Sequence, residues 1–246
     1  MTPLTIATYN IHKGFSHFNR RMVLHELRER LRELNADIVF LQEVQGENST
    51  DAQRHDNYPV LPQHEFLAED IWPYHVYGKN AVYDEGHHGN AILSRFPIVH
   101  WDNQDISAHR FESRGLLHCG ISLPDVALPL NCICVHFGLF KRGRGRQFNA
   151  LVERIRRMVA DDAPLVIAGD FNDWNNHASH YLAQELQVHE VFDASRGKLA
   201  RSYPAGIPLL RMDRIYVRGL EVSCCDVYAW KKISDHAALS ATLVLS

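Results

Sequence analysis

The chain has 246 residues, 46% of them hydrophobic and 22% charged, and no Ser/Gly-rich or Pro-rich linker separates two halves. That composition excludes a mainly disordered chain and is that of a single domain, read as residues 1–246, able to fold alone. A formal net charge of −3 excludes the whole-molecule basic field that drives general duplex binding, while leaving room for a local basic site.

The opening segment, Met1 to Asn10, lacks a basic leader region with a long apolar run, and no later stretch approaches the roughly 20 apolar residues of a membrane span. The expectation is a soluble, cytoplasmic protein. Cys119, Cys132, Cys134, Cys224 and Cys225 form no CxxC pair and sit mainly in apolar, strand-like runs, which suits reduced core thiols. Cys132 and Cys134 are two apart and share a strand face; packing is favoured there over metal ligation.

In chain order, Leu4 to Tyr9 predicts a strand reaching Asn10, and Arg20 to Leu34 places Leu24, Leu27, Leu31 and Leu34 on one helical face. The run Ile38 to Leu41 is too short and too continuously apolar for an independent helix; it predicts a buried strand that delivers Glu43 at its tip. Gly46 to Pro62 is polar and turn-rich, expected to be irregular and to form a substrate-side rim. Glu65 to Ile71 predicts a short helix, and His87-His88 a polar loop. Ala91 to Leu93 and Leu116 to Ile121 supply strands. Leu130 to Val135 predicts a strand running into His136, followed by a basic loop over Lys141 to Arg146 and a helix marked by Phe148, Leu151, Val152, Ile155 and Val159. Leu165 to Ala168 is again a strand, ending at Gly169-Asp170-Phe171-Asn172, and Arg214 to Val217 and Ala241 to Leu245 are the last. The strand, helix, strand rhythm occurs twice, consistent with internal duplication or with any repeated strand–helix plan. About ten strands and few helices point to a sheet-on-sheet core with helices outside rather than a TIM barrel.

Each polar strand tip has a bland structural explanation: Asn10 can stabilise a turn, Glu43 can face solvent or pair in a salt bridge, and Gly169 to Asn172 can be an ordinary turn. Together the tips are rich in acids, amides and His immediately after strands, where a rigid scaffold presents them to a common cleft. A buried Glu43 must find a cation or hydrogen bonds, and a carboxylate beside an Asn oxygen suits Mg²⁺ or Mn²⁺. Asp170 and Asn172 alternate, so in an extended segment one can activate a water that the other orients. Asp235-His236 and Asp213 each lie beside a late strand, and an Asp–His pair fixes the imidazole for proton transfer or phosphate binding, or serves as a structural hydrogen bond.

The ordered set Thr8-Tyr9-Asn10-Ile11-His12, Leu41-Gln42-Glu43-Val44, Gly89-Asn90-Ala91-Ile92-Leu93-Ser94-Arg95, Val135-His136, Gly169-Asp170-Phe171-Asn172, Asp213-Arg214-Ile215 and Ser234-Asp235-His236 resembles the endonuclease/exonuclease/phosphatase superfamily across nearly the whole chain. The resemblance implies an α/β four-layer sandwich, two packed mixed β-sheets flanked by helices, and Mg²⁺-dependent cleavage of phosphoester bonds. It also implies that Asn10, Glu43 and Asp235 are metal-side residues, that Asp170 and Asn172 activate and orient water, that His136 contacts the phosphoryl oxygen or leaving group, and that Asp213 positions His236. Asn90 and Arg114 are substrate-side candidates.

Some nuclease branches carry an acid two residues after the Asn, where this chain has His12; that residue either touches substrate or packs. Arg142, Arg144 and Arg146, close after His136, either clasp an anionic substrate or form a solvated loop. Trp72, Trp101, Trp174 and Trp230 are core or cleft-wall candidates, Trp174 nearest the site. The expected activity is phosphodiester hydrolysis by in-line water attack, on short or single-stranded nucleic acid or a phospholipid-like headgroup. The alternatives are a phosphomonoesterase of inositol- or sugar-phosphate type, a non-catalytic phosphate-binding module, and a zinc hydrolase, which the absence of an HxH or HExxH cluster disfavours.

Overall fold

Residues 3–16, 21–109 and 112–245 are described by the computed structural model of the chain. The first strand, β1 (Leu4–Asn10), pairs in parallel with β2 (Ile38–Asn48) across the helix α1 (Leu24–Leu34). The same unit recurs as β7 (Leu130–His136), helix α4 (Lys141–Met158) and β8 (Leu165–Asp170). Antiparallel strands extend each unit. The first sheet runs β11 (Leu220–Tyr228), β12 (Ala238–Leu245), β1, β2, β4 (Gly86–Ser94), β3 (Tyr74–Tyr83). The second runs β5 (Ile98–Asp105), β6 (Gly115–Ile121), β7, β8, β10 (Asp213–Arg218), β9 (His189–Glu190).

The central strands are apolar on both faces because both faces are covered. On β1, Leu4 and Ile6 join Phe40, Ile92, Cys132, Val166, Ile215 and Leu239 between the sheets. Ala7 and Tyr9 point the other way, into a layer closed by Leu24, Leu27 and Leu31 of α1 and by Phe66 and Leu67 of α3 (Gln63–Ala68). Phe148, Leu151 and Ile155 of α4 and Leu182 of α5 (His177–Leu186) cover the outer face of the second sheet. Helix, sheet, sheet and helix make the four-layer α/β sandwich the sequence resemblance implied. Cys132 and Cys134 face the inter-sheet core as reduced thiols. No helix among the described residues is long and apolar enough to cross a membrane.

Several local expectations are corrected. The helix after β1 starts at Leu24 rather than Arg20, which lies outside the described residues. The segment from Gly46 is not irregular throughout: β2 continues to Asn48, whose side chain accepts the Asp51 N–H at 3.0 Å and caps α2 (Ser49–Arg54). The polarity of this stretch hid a strand whose register slips between Leu41 and Val44 and again between Gln45 and Glu47. The short helix lies over Gln63–Ala68, earlier than expected. His87 and His88 belong to β4 and not to a loop; the His87 ring lies 1.9 Å from where a Cβ at Gly46 would sit, so a larger residue there would have to displace that ring.

Lys141 to Arg146 is not a loop but the start of α4. Arg144, Gln147, Phe148 and Leu151 fall at helical spacing on the buried face. Gln147 accepts the Gly138 N–H at 2.8 Å and donates to Glu112 at 2.8 Å. These polar anchors hold a first turn that two glycines and four cations made look unstructured.

Candidate active site

All the strand ends named above meet at one end of the sandwich. In the second sheet, Asp170 is registered opposite His136 on β7 and opposite Asp213 on β10, so it occupies the centre of a row of three. The first sheet contributes Asn10 at the end of β1 and Glu43 at the β2 irregularity. Asn10 Nδ2 donates to Asp170 Oδ2 at 3.1 Å and to Glu43 Oε1 at 3.3 Å, tying the two sheets together. His236, just before β12, places Nδ1 2.8 Å from Asp213 Oδ2 and Nε2 3.8 Å from Asp170 Oδ2. His136 Nε2 lies 3.6 Å from the same Asp170 oxygen.

The backbone is shaped for this convergence. Gly169 has φ +147°, and a Cβ there would lie 1.9 Å from the Val135 carbonyl, so only glycine lets β8 approach β7 this closely. Glu43 and Asn172 adopt left-handed φ values of 56° and 48°, a conformation that costs of order 1 kcal/mol for a non-glycine residue. The extended geometry expected for Asp170 to Asn172 is therefore replaced by a turn, in which the Asn172 N–H bonds Asp170 Oδ1 at 2.9 Å and the Asn172 amide donates to the Phe137 carbonyl at 2.9 Å.

The environment separates the protonation of the two histidines. Burial opposes a charge on His236, but the carboxylates of Asp213 and Asp170 outweigh it and push the imidazole up to about 10. His136 is driven well below its ordinary range by burial, with Arg114, His236, His88 and Lys13 acting in the same direction. Burial raises the Asp170 carboxyl to about 7; Asp213 adds to the rise, and His236 and the bonds from Asn172 and Asn10 oppose it. At neutral pH the site thus presents an imidazolium, a neutral imidazole and a carboxyl poised near its midpoint.

Asp235 does not lie with Glu43 in a shared contact; its Oδ1 is 3.4 Å from His12 Nδ1. Among the described residues, His12 Nε2 is buried without a hydrogen-bond partner. Asn90 donates to the Gly115 and Cys134 carbonyls at 3.0 and 3.4 Å, stitching β4 to the second sheet, and its Oδ1 has no partner. Arg114 lines a cavity of about 290 Å³ with His88, Glu112 and Phe140. The three arginines of the basic segment differ. Arg142 is exposed, Arg146 reaches the Ala108 carbonyl at 3.4 Å, and Arg144 is buried, donating to the Gly138 and Leu139 carbonyls at 3.2 and 2.5 Å, with Asp173 at 3.8 Å. Trp174 is exposed beneath Arg144, at 5.0 Å, while Trp72 is buried and Trp101 lies exposed on the edge strand β5.

Residues not singled out in the sequence complete the site. Ser234 Oγ donates to the Asn10 carbonyl at 2.8 Å and accepts the His236 N–H at 3.2 Å. Ser202 Oγ accepts the Asp213 N–H at 3.1 Å. The Tyr203 ring stands 5.0 Å from His236. Buried Arg214 bonds the Asp173 carbonyl and Asn176 Oδ1 at 3.1 and 3.2 Å, bracing the turn after Asp170. Ser234 and Arg214 were within reach, since each adjoins a residue already chosen; Ser202 and Tyr203 carry no pattern of their own.

Two groups of donors suit a cation. Asn10 offers an amide oxygen that already accepts the His12 N–H at 3.1 Å, and Glu43 a carboxylate with, among the described residues, only the long contact from Asn10 Nδ2; this oxygen chemistry fits a hard divalent ion. Asp170, Asp213 and His236 bring one ligand atom each within 4.8 Å of one another. In the second group Asp213 and His236 already bond each other, and Asp213 Oδ1 is buried without a partner.

The sequence pattern of the Endonuclease/Exonuclease/phosphatase family matches residues 7–236. The chain belongs to that family, whose members are generally phosphoester hydrolases and usually use a divalent metal. It is 44% identical over 243 residues to the uncharacterized protein YbhP of Escherichia coli K12, covering 98% of this chain and 96% of the relative. Among solved structures, a mannosyl-6-phosphatase of Bacteroides thetaiotaomicron superposes with a TM-score of 0.76 at 16% identity, over 98% of this chain and 100% of that one. The TDP2 of D. rerio, complexed with a single-strand DNA product, superposes with a TM-score of 0.72 at 17% identity, over 99% and 100%.

Proposed function

We propose that the chain is a single-domain, Mg²⁺-dependent phosphodiesterase that hydrolyses its substrate by in-line attack of water on phosphorus. The observation that carries this reading is the setting of Asp170, a carboxyl raised to about 7 by burial, between the His236 imidazolium and the Asn10–Glu43 pair. A general base works best with a pKa near the operating pH. Asp170 accepts the water's proton; its Oδ1 accepts the Asn172 N–H and its Oδ2 the Asn10 amide, and Oδ2 is the oxygen that faces His136 and His236. His236, kept charged by Asp213, donates to a phosphoryl oxygen as negative charge develops. Neutral His136 contacts the phosphoryl or leaving-group oxygen, with Arg114 and Asn90 on the substrate side. Asn10, Glu43 and Asp235 are the residues that would hold the ion, which would neutralise charge on the phosphoryl group, with Mn²⁺ able to substitute for Mg²⁺. Five free cysteines support a reducing, cytoplasmic setting.

Nucleic acid and phospholipid-like diesters are both compatible with this chemistry. The likeness to the Bacteroides mannosyl-6-phosphatase keeps a phosphomonoesterase as the second reading. A metal-supplemented screen spanning oligonucleotides, phospholipids, inositol phosphates, sugar phosphates and aryl phosphodiesters tests both. Turnover of a diester above its monoester, abolished by chelator and restored by Mg²⁺ or Mn²⁺, is expected. Faster monoester turnover selects the second reading, full turnover in rigorously metal-free protein rules out the metal, and no turnover on any ester leaves a phosphate-binding module.

A further inference from the structure

The loops at the site end of the sandwich expose large apolar side chains. A hairpin-like turn before β10 carries Ile207 at 72%, Leu209 at 60% and Leu210 at 40% exposure. This turn is braced: Ser202 and Tyr203 N–H groups bond the Leu210 carbonyl, and the Leu209 and Leu210 N–H groups bond the Tyr203 carbonyl. It is pinned to the catalytic segment as well, because the Ala205 N–H bonds the Asp235 carbonyl at 2.8 Å and the Ala237 N–H bonds the Ser202 carbonyl at 2.7 Å. A second wall, on the segment between β7 and α4, carries Leu139 and Phe140, 53% and 71% exposed. Buried Arg144 grips the carbonyls of Gly138 and Leu139 from behind and so turns that apolar pair outward.

Cations accompany both walls. Lys141 and Arg142 follow Phe140, Arg201 and Arg211 flank the hairpin, and Lys231 and Lys232 lie on the loop leading to Asp235. None of these six is ion-paired among the described residues, whereas Arg28, Arg30 and Arg32 on α1 all face acids. In a chain of net charge −3, six such cations stand beside these projecting apolar tips.

We propose that this rim docks the protein on an anionic phospholipid bilayer, the apolar tips entering the headgroup boundary and the cations meeting lipid phosphates, so that the site takes a phosphoester presented in a lipid headgroup. Apolar projections combined with lysine and arginine are the two signals that stable peripheral binding requires. Nucleic acid fits less well: single strands are held by aromatic platforms, and of the tips Ile207, Leu209, Leu210, Leu139 and Phe140 only Phe140 has a ring on which a base can stack. The substrate class rests on the phosphoesterase reading above; the docking itself does not.

The test is sedimentation of the full chain, in chelator, with vesicles of phosphatidylcholine alone or mixed with phosphatidylglycerol. Binding is expected to the anionic vesicles, to weaken in high salt, and to fall about tenfold in Ile207→Ser/Leu209→Ser. The melting temperature and hydrolysis of a small aryl phosphodiester should be unchanged in that variant. Leu139→Ser/Phe140→Ser should weaken vesicle binding too. The proposal is overturned if the wild type stays in the supernatant with anionic vesicles, if the double variants bind as the wild type does, or if a single-stranded oligonucleotide binds through these tips while vesicles do not. Vesicle binding without turnover of any ester in the screen would sink the phosphoesterase reading and leave the docking standing.

Discussion

His236 and Asp213 are joined at 2.8 Å through Nδ1 and Oδ2, both almost wholly buried, and this contact makes the histidine a lasting cation rather than a proton acceptor. Replacing Asp213 by Asn removes the charge and keeps the shape. In Asp213→Asn the His236 imidazole, near 10 in the wild type, should titrate at lower pH, visible in nitrogen-detected NMR of the ring. Turnover should fall about a hundredfold or more. An imidazole that remains protonated through the alkaline range in the variant would contradict the assignment.

Asp170→Asn should separate activity from stability. The folded carboxyl is raised to about 7 from an ordinary 3.8, so in metal-free protein its stability contribution is present below the unfolded value and is lost as pH rises through the folded one. An amide in its place removes that loss. Turnover should drop about a hundredfold or more, while the melting temperature in chelator at alkaline pH rises. A variant with near-normal turnover would show the site to be misplaced.

Glu190 provides a check away from the chemistry. It is buried, caps α6 (Val191–Arg196) by accepting the Asp193 N–H at 2.8 Å, and is raised by burial from 4.5 to about 7. Folding stability should therefore decline between about pH 4.5 and 7 by up to about 3 kcal/mol from this group. Glu190→Gln keeps an acceptor for the cap and cannot ionise. Denaturant unfolding at pH 5 and pH 8 should show the variant gaining over the wild type only at the higher pH.

The basic start of α4 divides into two functions. Arg144→Ala leaves Asp173 buried without its cation and frees the Gly138 and Leu139 carbonyls, a loss of about 3 kcal/mol. Arg142→Gln and Arg146→Gln touch exposed side chains and should leave unfolding within about 0.5 kcal/mol of the wild type. Their effect should instead be a higher KM for a multiply charged substrate with kcat unchanged. Equal unfolding midpoints for Arg144→Ala and the wild type would show the buried contacts to be inert.

The sequence made the strand ends legible because period and polarity change together there: an apolar run stops and an Asn, Glu, His or Asp follows. Asn10, Glu43, His136 and Asp170 were chosen on that basis, Asp213 and His236 because each stands at the start of a late strand, and the fold gathers all six at one end. The pairing of partners was less legible. Asp235 meets His12 rather than Glu43, and Asn172 turns back onto Phe137, since a left-handed residue after a strand leaves no periodic trace. The start of α4 was missed for a related reason: its buried face is built from Arg144 and Gln147, polar residues whose partners lie far away in the chain. The exposed edge strand β5 carries no apolar alternation to find.

The bond from Asn10 Nδ2 to Asp170 Oδ2, 3.1 Å long, crosses between the two sheets at their open end. Behind it lies a dense apolar layer in which Phe40, Cys132, Val166 and Leu239 meet. The site is therefore a vernier for the alignment of the two sheets, since a slip of about one ångström along their shared face would separate the Asn10–Glu43 pair from Asp170, the carboxyl proposed to accept the proton. Packing far from any substrate atom acquires kinetic weight in this way, and trimming Phe40 or Val166 should erode turnover before it unfolds the chain.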